Sequence, residues 1–563
     1  MSLLRVEQLR TYLSTSQGTV KAVEDVSFSI ERGETFCLVG ESGSGKSITA
    51  LSIMRLLPDS IASHPSGQIH FTLNPDPSEQ GSSSQEVQLI DATETTIRSV
   101  RGSRIAMIFQ EPMNSLNPVY TIGEQIIEAL QIHWPQMSDG EAREKAIKAL
   151  REVQIPEPER RVDDYPHLLS GGQRQRVMIA MAMACEPDLL IADEPTTALD
   201  VTVQAEILRL MRELQEKKGM SILFITHDFG VVAQMGHKLA VMQLGKIVEQ
   251  GPVKIILAAP QHQYTQQLLA ALPDNLKQQK RSQMQADFAQ AMSAQERDKT
   301  LIQIDGLKVH FPIKQGLFRH TVDYVRAVDD VSLTIKQGHI LALVGESGCG
   351  KTTLGRTLLR LLDPTAGDFS YDGHRLSGLT QKAMQPFRRE LQYIFQDPMS
   401  SLNPRLNIAT TLTEPMKVHG IGQTKQERVR LAQEVLEQVQ LDPDSIWRYP
   451  HEFSGGQRQR IGIARSLVLN PRFIVCDEVT SALDVSVQAE ILDILLHLRQ
   501  LRGLTLLFIT HNISVVEYIS DEIAVMYQGK IVERGPTDEV IADPQQAYTK
   551  KLLAAVPRIQ LQH

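Results

Sequence analysis

The chain repeats itself, and this limits what it can fold into more than any other feature. Lys46 pairs with Lys351 at an offset of 305, and Gln110 with Gln396 at 286. Ser170 and Ser454, Asp193 and Asp477, and His227 and His511 all lie 284 apart. Five landmarks in one order, met twice, predict two tandem copies of one architecture. The 563 residues are long enough for two such copies at roughly 100–200 residues per domain. The expected division is copy one over residues 1–273, a linker over 274–299 and copy two over 300–563. The linker stretch is polar and Gln-rich, with no apolar stripe to bury. The fall from 305 to 286 means that copy one carries 19 more residues between its lysine and its glutamine. Residues 74–85, rich in Ser, Gly and Pro, are the expected place for them, as a surface loop or hairpin tip.

Within each copy the pattern predicts α/β architecture. Thr35-Phe-Cys-Leu-Val39 and Ser221-Ile-Leu-Phe-Ile-Thr226 are short apolar runs of buried-strand type. Residues 48–57 fit a helix stopped by Pro58. Leu301-Ile-Gln-Ile opens copy two with strand-like alternation. Strands that run into glycine loops and then helices imply a mainly parallel sheet. The stretch between Gln110 and Ser170, including 139–153, is helix-like and predicts a separate helical subdomain.

Two glycine-rich loops carry the strongest chemical signal. Gly40-Glu41-Ser42-Gly43-Ser44-Gly45-Lys46-Ser47 and Gly345-Glu346-Ser347-Gly348-Cys349-Gly350-Lys351-Thr352 both fit G-x-x-x-x-G-K-[ST]. Glycines let backbone N–H groups curl round phosphate oxygens, and the helix that follows adds its N-terminal partial charge. Lys46 and Lys351 are expected on the β- and γ-phosphates, Ser47 and Thr352 on Mg²⁺. A chance glycine turn is the competing explanation, but a preceding strand and a following helix in both copies argue against it. Two apolar strands end in carboxylate pairs, Asp193-Glu194 and Asp477-Glu478. The aspartates are expected to hold the Mg²⁺ shell. The glutamates, placed on the opposite side by strand alternation, are expected to polarise the attacking water. His227 and His511 close strands and fit a γ-phosphate contact. Gln110 and Gln396 end the phrase Ile-Phe-Gln and fit contacts to Mg²⁺ and the water. A lone histidine or glutamine at a strand end is ordinarily structural, so these four take their weight from the loops.

Composition excludes several classes. A net charge of -8 gives no global basic field for nucleic acid. No run approaches the ~18 apolar residues of a membrane span, and the charged N-terminus lacks a signal-peptide core. The expectation is therefore a cytosolic protein, with any membrane association made through a partner. The four cysteines, Cys37, Cys185, Cys349 and Cys476, form no C-x-x-C pair and are expected as reduced core or loop thiols.

Together with Ser170-Gly171-Gly172-Gln173 and Ser454-Gly455-Gly456-Gln457, these motifs resemble the ABC ATPase family along both halves. The resemblance implies two P-loop NTPase domains, each with a parallel core, an antiparallel β part and a helical subdomain. It implies ATP and Mg²⁺ as cofactors. It further implies that each serine-glycine loop binds the γ-phosphate of ATP held by the other copy. Asp200 and Asp484, in Ala-Leu-Asp, match the family's D-loop, and Tyr12 and Phe311 are candidate adenine-stacking aromatics. Copy two has Glu478-Val479 where the family more often has Glu-Pro, as in Glu194-Pro195.

A narrower resemblance lies in Pro260-Gln-His-Gln-Tyr264-Thr-Gln-Gln-Leu-Leu and Pro544-Gln-Gln-Ala-Tyr548-Thr-Lys-Lys-Leu-Leu. These are similar to the C-terminal signature of dipeptide, oligopeptide and nickel importer ATPases. The phrases after the two glutamines, Glu111-Pro-Met-Asn-Ser-Leu-Asn-Pro and Asp397-Pro-Met-Ser-Ser-Leu-Asn-Pro, point the same way. Among fused two-domain members the chain is most similar to those of glutathione importers, and nearly as close to those of microcin C and oligopeptide importers. The implied partners are two transmembrane permease subunits and, indirectly, an extracytoplasmic binding protein. A soluble twin ABC ATPase acting on ribosomes or DNA is the rival. It predicts a basic surface, a cysteine cluster or a long coiled coil, and none of these is visible.

Overall fold

A computed structural model describes residues 2–15, 18–73, 85–110, 115–197, 199–273, 275–276, 298–315, 320–397, 401–481 and 483–559. The chain divides into two compact units, one within residues 1–199, 203–269 and 557–563, the other within 200–202 and 270–556. Most of the 274–299 stretch, and parts of the phrases after Gln110 and Gln396, lie outside the described residues.

The first unit holds two sheets. Strands β1 (Ser2–Thr15), β2 (Gly18–Glu31), β4 (Ala62–Ser63), β5 (Gln68–Leu73) and β6 (Gln85–Gln88) form an antiparallel sheet. Strands β3 (Thr35–Val39), β7 (Ile105–Ile108), β8 (Leu189–Asp193), β9 (Ser221–Thr226), β10 (Lys238–Gln243) and β11 (Lys246–Pro252) form the second, in the order β11-β10-β3-β9-β8-β7. All its pairs are parallel except β10–β11 at one edge. Every residue of β3, β8 and β9 is buried. That accounts for their continuous apolar runs, since a parallel strand is covered on both faces.

The second unit repeats this plan. Strands β12 (Thr300–Gln315), β13 (His320–Lys336), β15 (Ala366–Tyr371) and β16 (His374–Arg375) make the antiparallel sheet. Strands β14 (Ile340–Val344), β17 (Leu391–Ile394), β18 (Phe473–Asp477), β19 (Thr505–Ile509), β20 (Glu522–Tyr527) and β21 (Lys530–Pro536) run in the order β17-β18-β19-β14-β20-β21. In each unit a cluster of helices follows the β7 or β17 strand, as the sequence predicted. It holds helices Ile122–His133, Asp139–Glu152 and Gly171–Met183 in one unit and Ile408–Val418, Lys425–Gln438 and Gly455–Leu467 in the other. Helix Asp139–Glu152 begins at Ser138, whose side chain exchanges capping-box bonds with Glu141.

Two expectations need correction. The helix after the first glycine loop runs only from Lys46 to Ile53. Arg55 takes a left-handed φ of 47°, so the chain turns before Pro58 is reached. Second, the 19 extra residues are not all in one place. Arg55 and Arg360, both left-handed, are 305 apart, whereas Gly67 and Gly367 are 300 apart. The hairpin partners Val87 and His374 are 287 apart, and Gln110 and Gln396 are 286 apart. Copy one thus gains five residues before β5, thirteen in the β5–β6 hairpin and one beyond it. Strand β4 lies in the first of these insertions; residues 74–84 of the second lie outside the described residues.

The two candidate aromatics, Tyr12 and Phe311, do not occupy the same register. Tyr12 pairs with Lys21 and His310 with Arg326, whereas Leu13 pairs with Val20 and Phe311 with Val325. Tyr12 therefore matches His310, and Leu13 matches Phe311. One residue of slip puts a side chain on the other face of a strand.

Candidate functional site

Each glycine loop leaves a buried parallel strand and enters a helix at its lysine. Gly45 and Gly350 cap those helices with φ of 103° and 111°. A Cβ at Gly45 would sit 2.3 Å from the Ala22 carbonyl oxygen, and at Gly350 1.9 Å from that of Ala327. No other residue fits there. Both lysines are buried. Lys46 Nζ donates to the carbonyls of Gly40 and Glu41 at 2.7 and 2.9 Å and to Ser44 Oγ at 3.3 Å. Lys351 Nζ donates to the carbonyls of Gly345 and Glu346, each at 2.8 Å, and lies 3.8 Å from Cys349 Sγ. The ammonium is thus held by loop carbonyl dipoles at the place where the loop's N–H groups would cradle phosphate.

The first oxygen pair lies at the foot of each loop. Ser47 Oγ donates to Asp193 Oδ1 at 3.1 Å, and Thr352 Oγ1 to Asp477 Oδ1 at 3.0 Å. Burial pushes Asp193 up to about 6 against the Ser47 hydrogen bond, and the Glu194 charge adds to the rise. Burial raises Asp477 as well, while the hydroxyls of Tyr393 and Thr352 oppose it. Tyr393, on β17 beside β18, donates to Asp477 Oδ2. Met107 occupies the corresponding position of copy one, so this support belongs to one copy only.

The glutamates make contacts of their own, and strand alternation does not place them. Glu194 and Glu478 lie just past their strands with left-handed φ of 46° and 49°. Each backbone N–H is tied to the neighbouring strand, Glu194 to the Ile225 carbonyl and Glu478 to that of Ile509, both at 2.9 Å. Left-handed backbone at a non-glycine residue is strained and persists only where its surroundings hold it. Both copies hold it, so Val479 does not change the turn that Pro195 follows in copy one.

Glu194 Oε1 lies 3.2 Å from His227 Nδ1, and its Oε2 accepts from Gln110 Nε2 at 3.1 Å and from Thr197 Oγ1 at 2.8 Å. In copy two, Glu478 Oε1 lies 3.4 Å from His511 Nδ1, and Oε2 accepts from Gln396 Nε2 at 2.7 Å. Ser481, at the position of Thr197, donates instead to the Glu478 carbonyl. Burial works to raise Glu194, yet His227, Thr197 and Lys46 hold it down at about 2. His511 and Lys351 likewise hold Glu478 below its ordinary range against burial. The glutamine amides and the histidines thus meet at the glutamate and not at the Ser/Thr–Asp pair.

The serine-glycine loops begin helices. Ser170 Oγ accepts from Gln173 N–H at 3.3 Å while Gln173 Oε1 accepts from Ser170 N–H at 3.0 Å; Ser454 and Gln457 do the same at the same distances. This capping box makes a rigid helix start whose first N–H groups have no partner within the helix. A Cβ at Gly172 would meet Val203 at 2.6 Å and at Gly456 would meet Val487 at 2.3 Å, whereas Gly171 and Gly455 face open space. The second glycine is needed for packing and the first leaves the loop open to a ligand.

The two candidate aromatics are less alike. The Tyr12 hydroxyl donates to Glu24 at 2.8 Å and Lys21 lies 5.3 Å from its ring centre. Its register counterpart His310 meets Asp329 at 3.2 Å. Phe311 is 40% exposed. The cysteines are all free and buried.

The residues suit Mg²⁺ and ATP. A hydroxyl and a carboxylate side by side supply two hard oxygen ligands, and Mg²⁺ takes its remaining sites from water and phosphate. Among the described residues there is no group of three or more His, Cys, Asp or Glu that would mark a metal cage. Nor is any helix of the described residues long and apolar enough to cross a membrane.

Comparison with known proteins agrees with this geometry. The "ABC transporter" family model matches residues 23–197 and 328–481. The model "Oligopeptide/dipeptide transporter, C-terminal region" matches residues 248–296 and 532–563. A peptidoglycan transport ATP-binding protein of Agrobacterium fabrum is 48% identical over 558 residues, which is 99% of this chain and 97% of that one. A glutathione import ATP-binding protein of Salmonella typhimurium is 48% identical over 550 residues, 96% of this chain and 87% of its own. That of Escherichia coli is 46% identical over 568 residues, 99% and 90%. Two phosphate loops, two carboxylate pairs and two capped serine-glycine helices, matched over nearly the whole length of such relatives, make this chain an ATPase that belongs to the ABC transporter family.

Proposed function

We propose that the chain is the energising subunit of an importer for glutathione or short peptides, working at the cytoplasmic face of the inner membrane on two separate permease subunits. An extracytoplasmic binding protein would deliver the cargo. The observation that carries this is the constellation built twice: a loop lysine, a hydroxyl–carboxylate pair, and a glutamate gripped by glutamine and histidine. The peptide-class cargo is supported by the C-terminal matches and by relatives named for glutathione and peptidoglycan transport. The proposed domains are those expected from the repeat, 1–273 and 300–563, joined by 274–299.

ATP with Mg²⁺ supplies the reactive phosphoanhydride and neutralises its charge. Lys46 and Lys351, now on loop carbonyls, would bind the β- and γ-phosphates. The pairs Ser47–Asp193 and Thr352–Asp477 would hold the metal. Glu194 and Glu478 bind the attacking water. His227, Thr197 and Lys46 hold Glu194 ionised against burial, which suits a carboxylate that orients the water or accepts its proton. Gln110 and Gln396 lock the glutamate and would contact the metal and the water; His227 and His511 would contact the γ-phosphate. Ser170–Gln173 and Ser454–Gln457 would bind γ-phosphate, and Tyr12 and Phe311 would stack on adenine.

Gene deletion followed by uptake assays tests the reading. Uptake of labelled glutathione or of dipeptides is expected to fall. Unchanged uptake of both, with loss of a metal or sugar, would show that the cargo is of another class. Co-purification with two membrane proteins tests the partners.

A further inference from the structure

We infer that Tyr264 and Tyr548 position the two phosphate loops, so that the C-terminal segment of each copy helps set that copy's hold on nucleotide; this rests on the ATPase reading above. Tyr264 stands in helix Gln263–Ala270 and Tyr548 in helix Ala547–Ala554, within the oligopeptide/dipeptide-type C-terminal regions. The Tyr264 hydroxyl donates to Glu41 Oε2 at 3.0 Å and accepts from the Glu41 N–H at 3.4 Å. The Tyr548 hydroxyl accepts from the Glu346 N–H at 3.0 Å. Glu41 and Glu346 are the second residues of the two loops, and their carbonyls take the ammonium groups of Lys46 and Lys351. One residue at the mouth of each loop is therefore held on its N–H by a tyrosine from more than 200 residues away and on its C=O by the loop's own lysine.

A buried tyrosine must place its hydroxyl somewhere, and satisfaction alone is the competing account. Against it, the same contact occurs in both copies although the ring packing differs. Tyr548 lies 4.3 Å from the Tyr527 ring, whereas Gln243 has the register position of Tyr527 in copy one. What the copies share is the hydroxyl on the loop. When nucleotide draws the lysine away, the tyrosine still holds this peptide by its N–H, while the Ser44 or Cys349 N–H holds its carbonyl at 3.1 or 3.3 Å. Without the tyrosine the loop must be ordered at the expense of binding free energy.

The test uses the full chain with Tyr264→Phe, Tyr548→Phe and both together. It reads the Kd for Mg-ATP by displacement of a fluorescent ATP analogue, the KM and kcat of hydrolysis, and the melting temperature. Loss of two hydrogen bonds to Glu41 in one loop and of one to Glu346 in the other is expected to raise Kd and KM roughly threefold to tenfold in the double variant. The kcat is expected to stay within about twofold of wild type, since no reacting group is altered. Tyr518→Phe is the control, because its hydroxyl donates to Asp493 at 2.7 Å, away from either loop; it is expected to leave Kd unchanged. A double variant binding Mg-ATP as wild type does, or losing affinity only in step with a fall in melting temperature, overturns the inference. A wild-type chain that fails to bind Mg-ATP defeats the ATPase reading itself, and this inference with it.

Discussion

At the scale of residues, the two sites are near copies whose differences are chemical. Asp193 is buried with Met107 at the position that Tyr393 holds in copy two, whereas Asp477 has the Tyr393 hydroxyl. In the metal-free chain a carboxylate raised from 3.8 to about 6 favours folding only while protonated. That contribution is complete below 3.8, fades as pH rises towards 6, and is absent at pH 8. Asp193→Asn removes the buried charge and is expected to raise the melting temperature at pH 8 by a few degrees, with a much smaller gain at pH 4. Asp477→Asn is expected to gain less. A melting temperature lowered at pH 8 by Asp193→Asn would contradict this electrostatic account. Both variants are expected to lose Mg²⁺-dependent hydrolysis. The motif residues were legible in sequence because each has a fixed local spacing. Tyr393 was not, since its target lies 84 residues away, across a strand pair. The left-handed turn at Glu194 and Glu478 was also hidden, because nothing in Asp-Glu marks a strand that ends between the two residues.

At the scale of elements, the apolar runs and the repeat predicted the parallel sheets and the helical clusters. They did not predict strand faces, and the mismatch of Tyr12 and Phe311 comes from that: two aromatics near one position can sit on opposite sides of a strand. The hairpins show how insertion is tolerated. In copy two, Tyr371 and His374 are joined by Asp372-Gly373, with φ of 46° and 78°, the left-handed pair a tight two-residue hairpin requires. Copy one reaches the same β6 pairing only after its insertion. Replacing residues 72–86 with an Asp-Gly turn is expected to leave hydrolysis within about twofold of wild type, because loop length enters closure entropy only slowly. A folded variant without ATPase activity in the assembled transporter would show that the insertion has a catalytic or coupling role.

At the scale of the whole molecule, the central claim is that one chain carries two complete ATP sites that depend on each other. Lys46, Ser47, Asp193, Glu194 and His227 are matched in full by Lys351, Thr352, Asp477, Glu478 and His511, and both serine-glycine helices are capped alike. Among the described residues, nothing in the geometry marks either copy as degraded. Glu→Gln keeps the shape of the side chain and removes the charge that orients water. The most direct measurement is steady-state ATPase activity of the chain assembled with its permease subunits, for wild type, Glu194→Gln, Glu478→Gln and the double variant. Each single variant is expected to lose well over half of the activity, and the double variant about 10²–10⁴-fold while still binding ATP. Single variants that each keep half of the activity, or one that keeps nearly all of it, would contradict the account.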